Sequence, residues 1–290
     1  MPRPFHALVP LLRAAAALAL LTGLGRAQSA WTQPDGGHFV QLSLASIGPY
    51  DSLFRASGPS FDTGREISET SLELYGEYGL SDAWTLVGRV PLRYVDSGAV
   101  NGDATIQPVT IPSDSLTGLG NVLLGVRRRL GGGDLAVAGE LQLELPAASA
   151  DATSGLATGY AATTLRPLLS FGRGFGGGWV QGYVGASLRT DDYSNDWRVG
   201  AEVGWQATSR LALAATLDVV QSFEDGDVAI DPAQAQTGLF VNDQEYVSPG
   251  VKGLFRVSEH LGVSAALRGA LDGNNVPEAP YLSVGVFLQR

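Results

Sequence analysis

A hairpin at Glu69–Asp96 shows the alternation of apolar and polar positions from which the fold can be predicted. Every second residue of Leu72–Tyr78 is apolar or small, and the residues between them are mostly charged or polar. After a short turn, the same alternation continues through Trp84–Tyr94. Because side chains alternate sides along a strand, each arm has one apolar face and one charged face. Each arm has about 10 residues, enough for a tilted strand to cross a bilayer, whereas soluble strands average about 5 or 6. The hairpin is therefore typical of a transmembrane β-barrel.

This alternation recurs along the chain and predicts an all-β protein, a transmembrane antiparallel up-and-down β-barrel of about 12 strands. The connections after the even-numbered strands are short, and those after the odd-numbered strands are long. This pattern is the signature of an outer-membrane barrel with its short turns and both termini in the periplasm. A soluble repeat protein has no reason to alternate loop length in this way. The predicted strands are 38–46, 69–78, 84–94, 121–129, 137–145, 160–171, 180–189, 197–206, 211–219, 247–257, 261–268 and 282–288.

The N-terminus has the pattern of a secretory signal peptide. Arg3 and Arg13 precede or flank an apolar segment at Ala14–Leu24, and small residues precede a predicted cleavage site after Ala27. The apolar segment is too short for a membrane anchor, which needs about 20 residues. We therefore predict a signal peptide at 1–27, a short periplasmic lead at 28–37 that is too short for a separate plug domain, and the barrel at 38–290. The predicted location is the outer membrane of a Gram-negative cell envelope.

Composition narrows the possible partners. A net charge of −10 argues against a nucleic-acid partner, and the absence of cysteine excludes disulfides and thiolate metal sites. The predicted partners are outer-membrane lipid, the outer-membrane assembly machinery during insertion, and a small-molecule solute. The sequence leaves the oligomeric state open.

Candidate catalytic chemistry is sparse. Beyond the signal peptide the only histidines are His38 and His260, both predicted on the periplasmic side, and no G-x-S-x-G elbow is present. The acidic loop at Glu224–Asp243 could hold a divalent cation, but it lacks calcium-loop spacing and is better interpreted as a solvated loop. We therefore predict that the protein is not an enzyme and has no catalytic, metal or cofactor site.

Charged residues of one strand parity are predicted to line the lumen. Their mixed signs suggest cross-strand pairs, such as Arg127 or Arg129 with Glu140 or Glu144. These charges either hydrate and brace the interior or set a constriction and its selectivity. The lumen-lining candidates are Glu73, Glu77, Arg89, Arg93, Arg127, Arg129, Glu140, Glu144, Arg166, Arg189, Arg198, Glu202, Asp218, Lys252, Arg256 and Arg268.

Three short segments carry a resemblance to a known family. The turn at Glu77–Asp82, the strand at Trp84–Pro91 and the motif at Thr117–Asn121 resemble outer-membrane transporters linked to a phenol-degradation pathway, although Asn121 replaces the usual aspartate. The resemblance implies a 12-stranded-type barrel that passes small, often hydrophobic molecules, and it supplies no substrate-binding residues. The last strand also resembles the signal for outer-membrane assembly, with Arg290 in place of the usual terminal aromatic residue.

Two functions remain open from the sequence. The first is a porin-like channel or transporter for passive passage of small molecules, with hydrophobic or aromatic solutes among the candidates. The alternative is a non-conducting structural or surface-binding barrel with a plugged lumen. Twelve strands lie between filled small barrels and open porins. A continuous wet path would favour the channel, whereas mutual pairing of the lumen charges with a loop folded inward would favour the plugged barrel.

Overall fold

The structure is a computed structural model that describes residues 30–100 and 110–290. Its strands form one antiparallel sheet that closes on itself where β1 pairs with β14, with Phe39 opposite Gln289 and Ile47 opposite Tyr281. The strands are β1 His38–Leu53, β2 Phe61–Ser81, β3 Trp84–Ser97, β4 Asp114–Leu119, β5 Val122–Gly131, β6 Ala136–Leu145, β7 Thr164–Phe175, β8 Gly178–Arg189, β9 Asp196–Gln206, β10 Leu211–Ser222, β11 Glu245–Arg256, β12 Leu261–Arg268, β13 Asp272–Asn274 and β14 Tyr281–Gln289.

These strands fill twelve positions around the barrel wall, and we call each position a stave. Strands β4 and β5 both pair with β3, and β12 and β13 both pair with β11, so each couple forms one interrupted stave. The predicted twelve-stranded antiparallel barrel is confirmed. A short helix, α1, spans Pro232–Ala235. Over the ranges that the structure covers, no helix is long and apolar enough to cross a membrane. The predicted signal peptide at 1–27 lies outside the described residues.

The connections sort into two ends of the barrel. The short ones, residues 82–83, 132–135, 176–177, 207–210 and 257–260, lie at one end together with the start of β1 and the end of β14, and we call this the turn end. The longer connections lie at the opposite end, which we call the loop end. The two longest that are described throughout are residues 146–163 and 223–244. The predicted alternation of connection length is thus present.

Three predicted boundaries were wrong. The fourth stave was predicted to begin at residue 121 but begins with β4 at Asp114. The first two strands were predicted to be 38–46 and 69–78, with a long loop at 48–65 between them, but β1 continues to Leu53 and β2 begins at Phe61. The pairing passes through an irregularity after Ile47, where Gly48 has a φ of +87° that favours glycine, so the Gly-Pro pair interrupts the register without ending the strand. The sixth strand was predicted to begin at residue 160 but begins at Thr164, because Tyr160 belongs to a loop that packs into the loop end.

The outer wall of the barrel is apolar. The outward positions of the staves carry exposed leucines and valines, for example Leu42, Leu74 and Leu124. Exposed Trp84 and Trp205 lie near the turn end, and exposed Tyr94 and Trp197 lie near the loop end. An apolar band between aromatic residues is the surface that a lipid bilayer requires.

The interior is packed at both ends. At the turn end, a buried apolar cluster includes Phe39, Tyr75, Val87, Trp179 and Phe287. At the loop end, a second cluster joins the extended ends of β1 to β3 to the loops at 146–163 and 223–244 through side chains that include Tyr50, Ile67, Val95, Leu156 and Leu239. The charged part of the lumen lies between these two clusters.

Candidate functional site

The turn end of the lumen contains the N-terminal lead. The described part of the lead, residues 30–37, follows the inside of β2 and β3. The backbone N–H of Gln33 donates to Thr85 Oγ1 at 2.8 Å, and its side chain donates to Glu77 at 2.6 Å. Gly36 N–H donates to the carbonyl of Gly79 at 3.0 Å. The lead is therefore held by backbone and side-chain bonds along its length, rather than extending freely from the barrel.

Arg127 is the centre of this region and is 0% exposed. Its guanidinium donates to Glu140 at 2.6 Å, to Glu77 at 3.1 Å and to the carbonyl oxygen of Trp31 at 3.1 Å. A buried charge is tolerated when opposite charges and hydrogen bonds surround it, as they do here. The same guanidinium thus joins three staves and the lead into one network.

Trp31 of the lead packs on the apolar cluster of the turn end. A Cβ added at Gly172 would lie 2.6 Å from the Trp31 ring, and one added at Gly79 would lie 1.9 Å from the carbonyl oxygen of Pro34. Both glycines therefore leave room that the lead occupies. Together with the Arg127 network, this packing fills the turn end of the lumen.

Above the turn end, the lumen holds a cavity of about 560 Å³ that reaches Asn195, Phe240 and Gln244 in the loops. We call it the lumen cavity. The predicted lining candidates that border it are Glu73, Arg89, Arg93, Glu144, Arg166, Arg189, Arg198, Glu202, Asp218, Lys252 and Arg268. Seven of these eleven residues are cationic. Asp196, which was not predicted, also lines the cavity. The lining residues therefore include seven cations and five carboxylates.

One side of the cavity carries arginine–carboxylate pairs. Glu144 accepts hydrogen bonds from Arg166 at 3.1 Å and from Arg89 at 2.6 Å. Asp196 pairs in the same way with Arg189 at 2.6 Å and Arg198 at 3.1 Å. Of the cross-strand pairs that the sequence suggested, the structure contains Arg127 with Glu140; Glu144 instead has the partners just named. Each carboxylate here is shared by two arginines.

The opposite side of the cavity is formed by β10 to β14. Lys252 is ion-paired with Glu202, and Tyr183 donates to Asp218 at 2.7 Å. Arg268 differs from these groups, because its guanidinium lies 4.0 Å above the ring of Tyr281. In the described ranges it has no ion-pair partner.

The loop end narrows the mouth of the cavity. Tyr160 contacts Tyr193 and Phe240 edge to face, and its hydroxyl donates to Gln244 at 2.6 Å. Burial raises the pKa of Tyr160 to about 12, so this hydroxyl stays protonated and remains a donor at neutral pH. Arg93 lies 4.9 Å from the centre of the Phe240 ring. Residues of three loops, 146–163, 190–195 and 223–244, are thus folded over the lumen.

Other candidates lie away from the cavity. Glu77, Arg127 and Glu140 belong to the turn-end network, while Arg129 and Arg256 lie close to the turn-end limits of their strands and do not border the cavity. Arg129 is exposed there.

Several residues were missed by the sequence analysis. Asp196 could have been found, because it shares the parity of Arg198 two residues later. Trp179, whose indole N–H donates to Glu202 at 2.6 Å, has the parity of the inward Gln181. Trp31 and Tyr160 lie outside the strands and carry no periodic signal.

The residues considered for catalysis and metal binding are dispersed. The N–H of His38 donates to the carbonyl of Arg290 at 3.1 Å, and the ring of His260 lies 3.1 Å from the carbonyl of Gln289, so both histidines lie at the turn end. In the acidic loop, Asp225 accepts two hydrogen bonds from Asn195, which hold the pKa of Asp225 below its usual value. Within the described ranges, no group of three histidine or acidic side chains is arranged to hold a metal ion.

Comparisons with known proteins place the fold. The COG4313 outer membrane channel from Pseudomonas putida F1 matches with a TM-score of 0.67 and 16% identity, over 90% of this chain and 98% of that one. The translocator domain of the autotransporter NalP from Neisseria meningitidis matches with a TM-score of 0.53 and 11% identity, over 98% and 95%. The NanC porin matches with a TM-score of 0.52 and 8% identity, over 86% and 98%.

Other comparisons found no match: no family model and no curated protein corresponds to the chain. The resemblance to transporters linked to phenol degradation therefore stays a prediction. At these low identities the structural matches show a shared barrel fold.

Proposed function

We propose that the protein is a passive outer-membrane channel for small polar solutes, closed at its turn end in this conformation. The observation that carries the proposal is the charged lumen cavity inside a wall whose outer face is apolar. A barrel built only as a scaffold has no need for a cavity of this size between its packed ends. The likeness to a barrel named as an outer membrane channel supports the same function. We assign the turn end to the periplasm, as expected for short connections.

The lining favours polar over hydrophobic solutes. The cavity is bordered by arginines, carboxylates and amides such as Gln41 and Gln181. Apolar solutes gain little from such a surface, and they displace water that these groups bind well. The sequence resemblance led us to expect hydrophobic or aromatic solutes. The lining favours, among small solutes, those that carry a polar or charged group.

The plugged barrel is the second candidate, and specific contacts favour it. Nearly every lumen charge is paired, the lead fills the turn end around Arg127, and three loops fold over the opposite mouth. Mutual pairing of the lumen charges and loops folded inward are the features expected of a non-conducting barrel. The two functions differ in one testable respect: a channel opens when the lead is released, and a plugged barrel does not.

Single-channel conductance in planar bilayers separates the two. We expect the protein beginning at Gln28 to give small or rare openings, and a variant lacking residues 28–33 to give larger and steadier ones. Trp31→Ala serves as a milder second variant, since it removes only the side chain that packs on the turn-end cluster. Its matched control is Trp205→Ala, the same change on the outer wall, where the side chain is exposed.

The outcome decides the function directly. Higher conductance in the lead variants, with the Trp205→Ala control unchanged, supports the channel. Folded and inserted protein that passes no current in any of these forms would establish the non-conducting barrel instead. Folding is checked in each case by the heat-dependent shift in gel mobility that stable barrels show.

A further inference from the structure

The part of the lumen cavity formed by β11, β12 and β14 differs from the rest in charge. No residue that these three strands contribute to the cavity lining is acidic, and their two charged side chains are Lys252 and Arg268. Their other lining residues include the small side chains of Ser264, Ala266 and Ser283. This wall is therefore cationic, and its two charges lie among small side chains. We call it the cationic corner.

Arg268 is the unusual member of the cationic corner. The other six cations that border the cavity each have an ion-pair partner. Arg268 has none in the described part of the chain, and its guanidinium instead lies 4.0 Å above the Tyr281 ring. The contact with the ring face holds the guanidinium in place, and its N–H groups have no hydrogen-bond acceptor among the described residues. The cavity therefore contains one oriented cation that still has hydrogen bonds to donate.

Lys252 provides a second cation close by. In the β11–β12 register Lys252 lies opposite Ala266, and Gly250 lies opposite Arg268. Lys252 and Arg268 are thus diagonal neighbours on the same face of the sheet, with a backbone separation of about 7–8 Å. A Cβ at Gly250 would lie 2.9 Å from that of Arg268, so the glycine leaves room at the base of the Arg268 side chain.

We propose that the cationic corner binds the carboxylate of a small organic acid, with Arg268 as its principal contact and Lys252 as a second positive charge. This inference rests on the proposed function, because the bound acid would be a solute in transit. The N–H fork of a guanidinium matches the two oxygens of a carboxylate. The lining has two more cations than carboxylates, and Glu69 outside the lining pairs with Arg93, so one positive charge is left that an anionic solute would balance. The cavity volume of about 560 Å³ lies within the range that holds small ligands.

Titration calorimetry on the folded protein in detergent tests the site without requiring conduction. The probes are benzoate and benzyl alcohol, which have similar size and differ in charge. We expect benzoate to bind better than benzyl alcohol. Arg268→Gln should weaken benzoate binding about tenfold, the effect of losing a charge-assisted hydrogen bond, while Arg268→Lys should retain part of the affinity. The matched control is Arg129→Gln, which removes an exposed cation outside the cavity.

The proposal is overturned if benzyl alcohol binds as well as benzoate, or if Arg268→Gln leaves benzoate affinity unchanged in protein that still shows the heat-dependent mobility shift. A channel experiment gives the second readout. In the variant lacking residues 28–33, Arg268→Gln should shift the reversal potential in a salt gradient toward cation preference. If the variant that lacks residues 28–33 and keeps Arg268 conducts but shows no benzoate preference, the site is wrong and the channel stands. If it binds benzoate but never conducts, the channel is wrong and the site stands.

Discussion

The turn end and the lumen cavity both contain arginines that point into the barrel. The two regions differ in how far these arginines are buried and paired. Arg127 at the turn end is completely buried between two glutamates and the carbonyl of Trp31. Arg268 in the cavity is exposed to the lumen and contacts a tyrosine ring. Arg127 and Arg268 both lie at inward positions on their strands. They differ in the segments that pack against them.

This difference separates charges that hold the structure together from charges that remain free for a solute. A buried ion pair with every donor satisfied is costly to break, because the partner left behind is a charge without solvent. Removing a cation that lies beside water costs the protein little stability, because water solvates the groups that the cation contacted. The comparison therefore predicts a gradient of stability effects from the turn end to the cationic corner.

The largest effect is expected at Arg127. Arg127→Met keeps much of the side-chain length but leaves Glu77 and Glu140 without their shared cation, and it should lower the free energy of unfolding by about 3–5 kcal/mol. Urea unfolding of the protein refolded into lipid vesicles, followed by tryptophan fluorescence, measures this loss. Arg129→Met makes the same chemical change at the exposed turn-end position and should be close to neutral. Equal effects of the two substitutions would remove the distinction between the regions.

An intermediate effect on stability is expected at Glu144, because its surroundings share features of both regions. It is buried against Arg166 and Arg89 but also borders the lumen cavity. Glu144→Gln removes the charge from three hydrogen bonds that two arginines donate, and cavity water can replace part of them. We expect a loss of about 2 kcal/mol in the same unfolding experiment. Glu259→Gln in an exposed turn is the control, and a Glu144→Gln loss as large as that of Arg127→Met would show that the cavity wall is as dry as the turn end.

Sequence patterns could predict the staves but not this gradient. Alternation along Trp84–Tyr94 and similar segments sets which side chains face inward, because strand geometry fixes parity. Parity assigns Arg127 and Arg268 to the same interior. Which of them is buried depends on where the lead and the loops fold, and that is decided by contacts distant in sequence, such as Gln33 with Glu77 and Tyr160 with Gln244. Such segments have no periodicity from which their positions could be inferred.

The smallest effect on stability is expected at Arg268, and it is also the most informative. Arg268→Gln removes a cation that has no carboxylate partner in the described part of the chain and faces the lumen, so the free energy of unfolding should change by less than about 1 kcal/mol. The same urea experiment measures this, with Arg129→Gln as control. A loss of several kcal/mol would mean that Arg268 braces the barrel as Arg127 does. An unchanged free energy of unfolding, combined with weaker benzoate binding, would instead show that Arg268 serves solute binding. A residue that stabilises the barrel cannot be removed without a loss of stability.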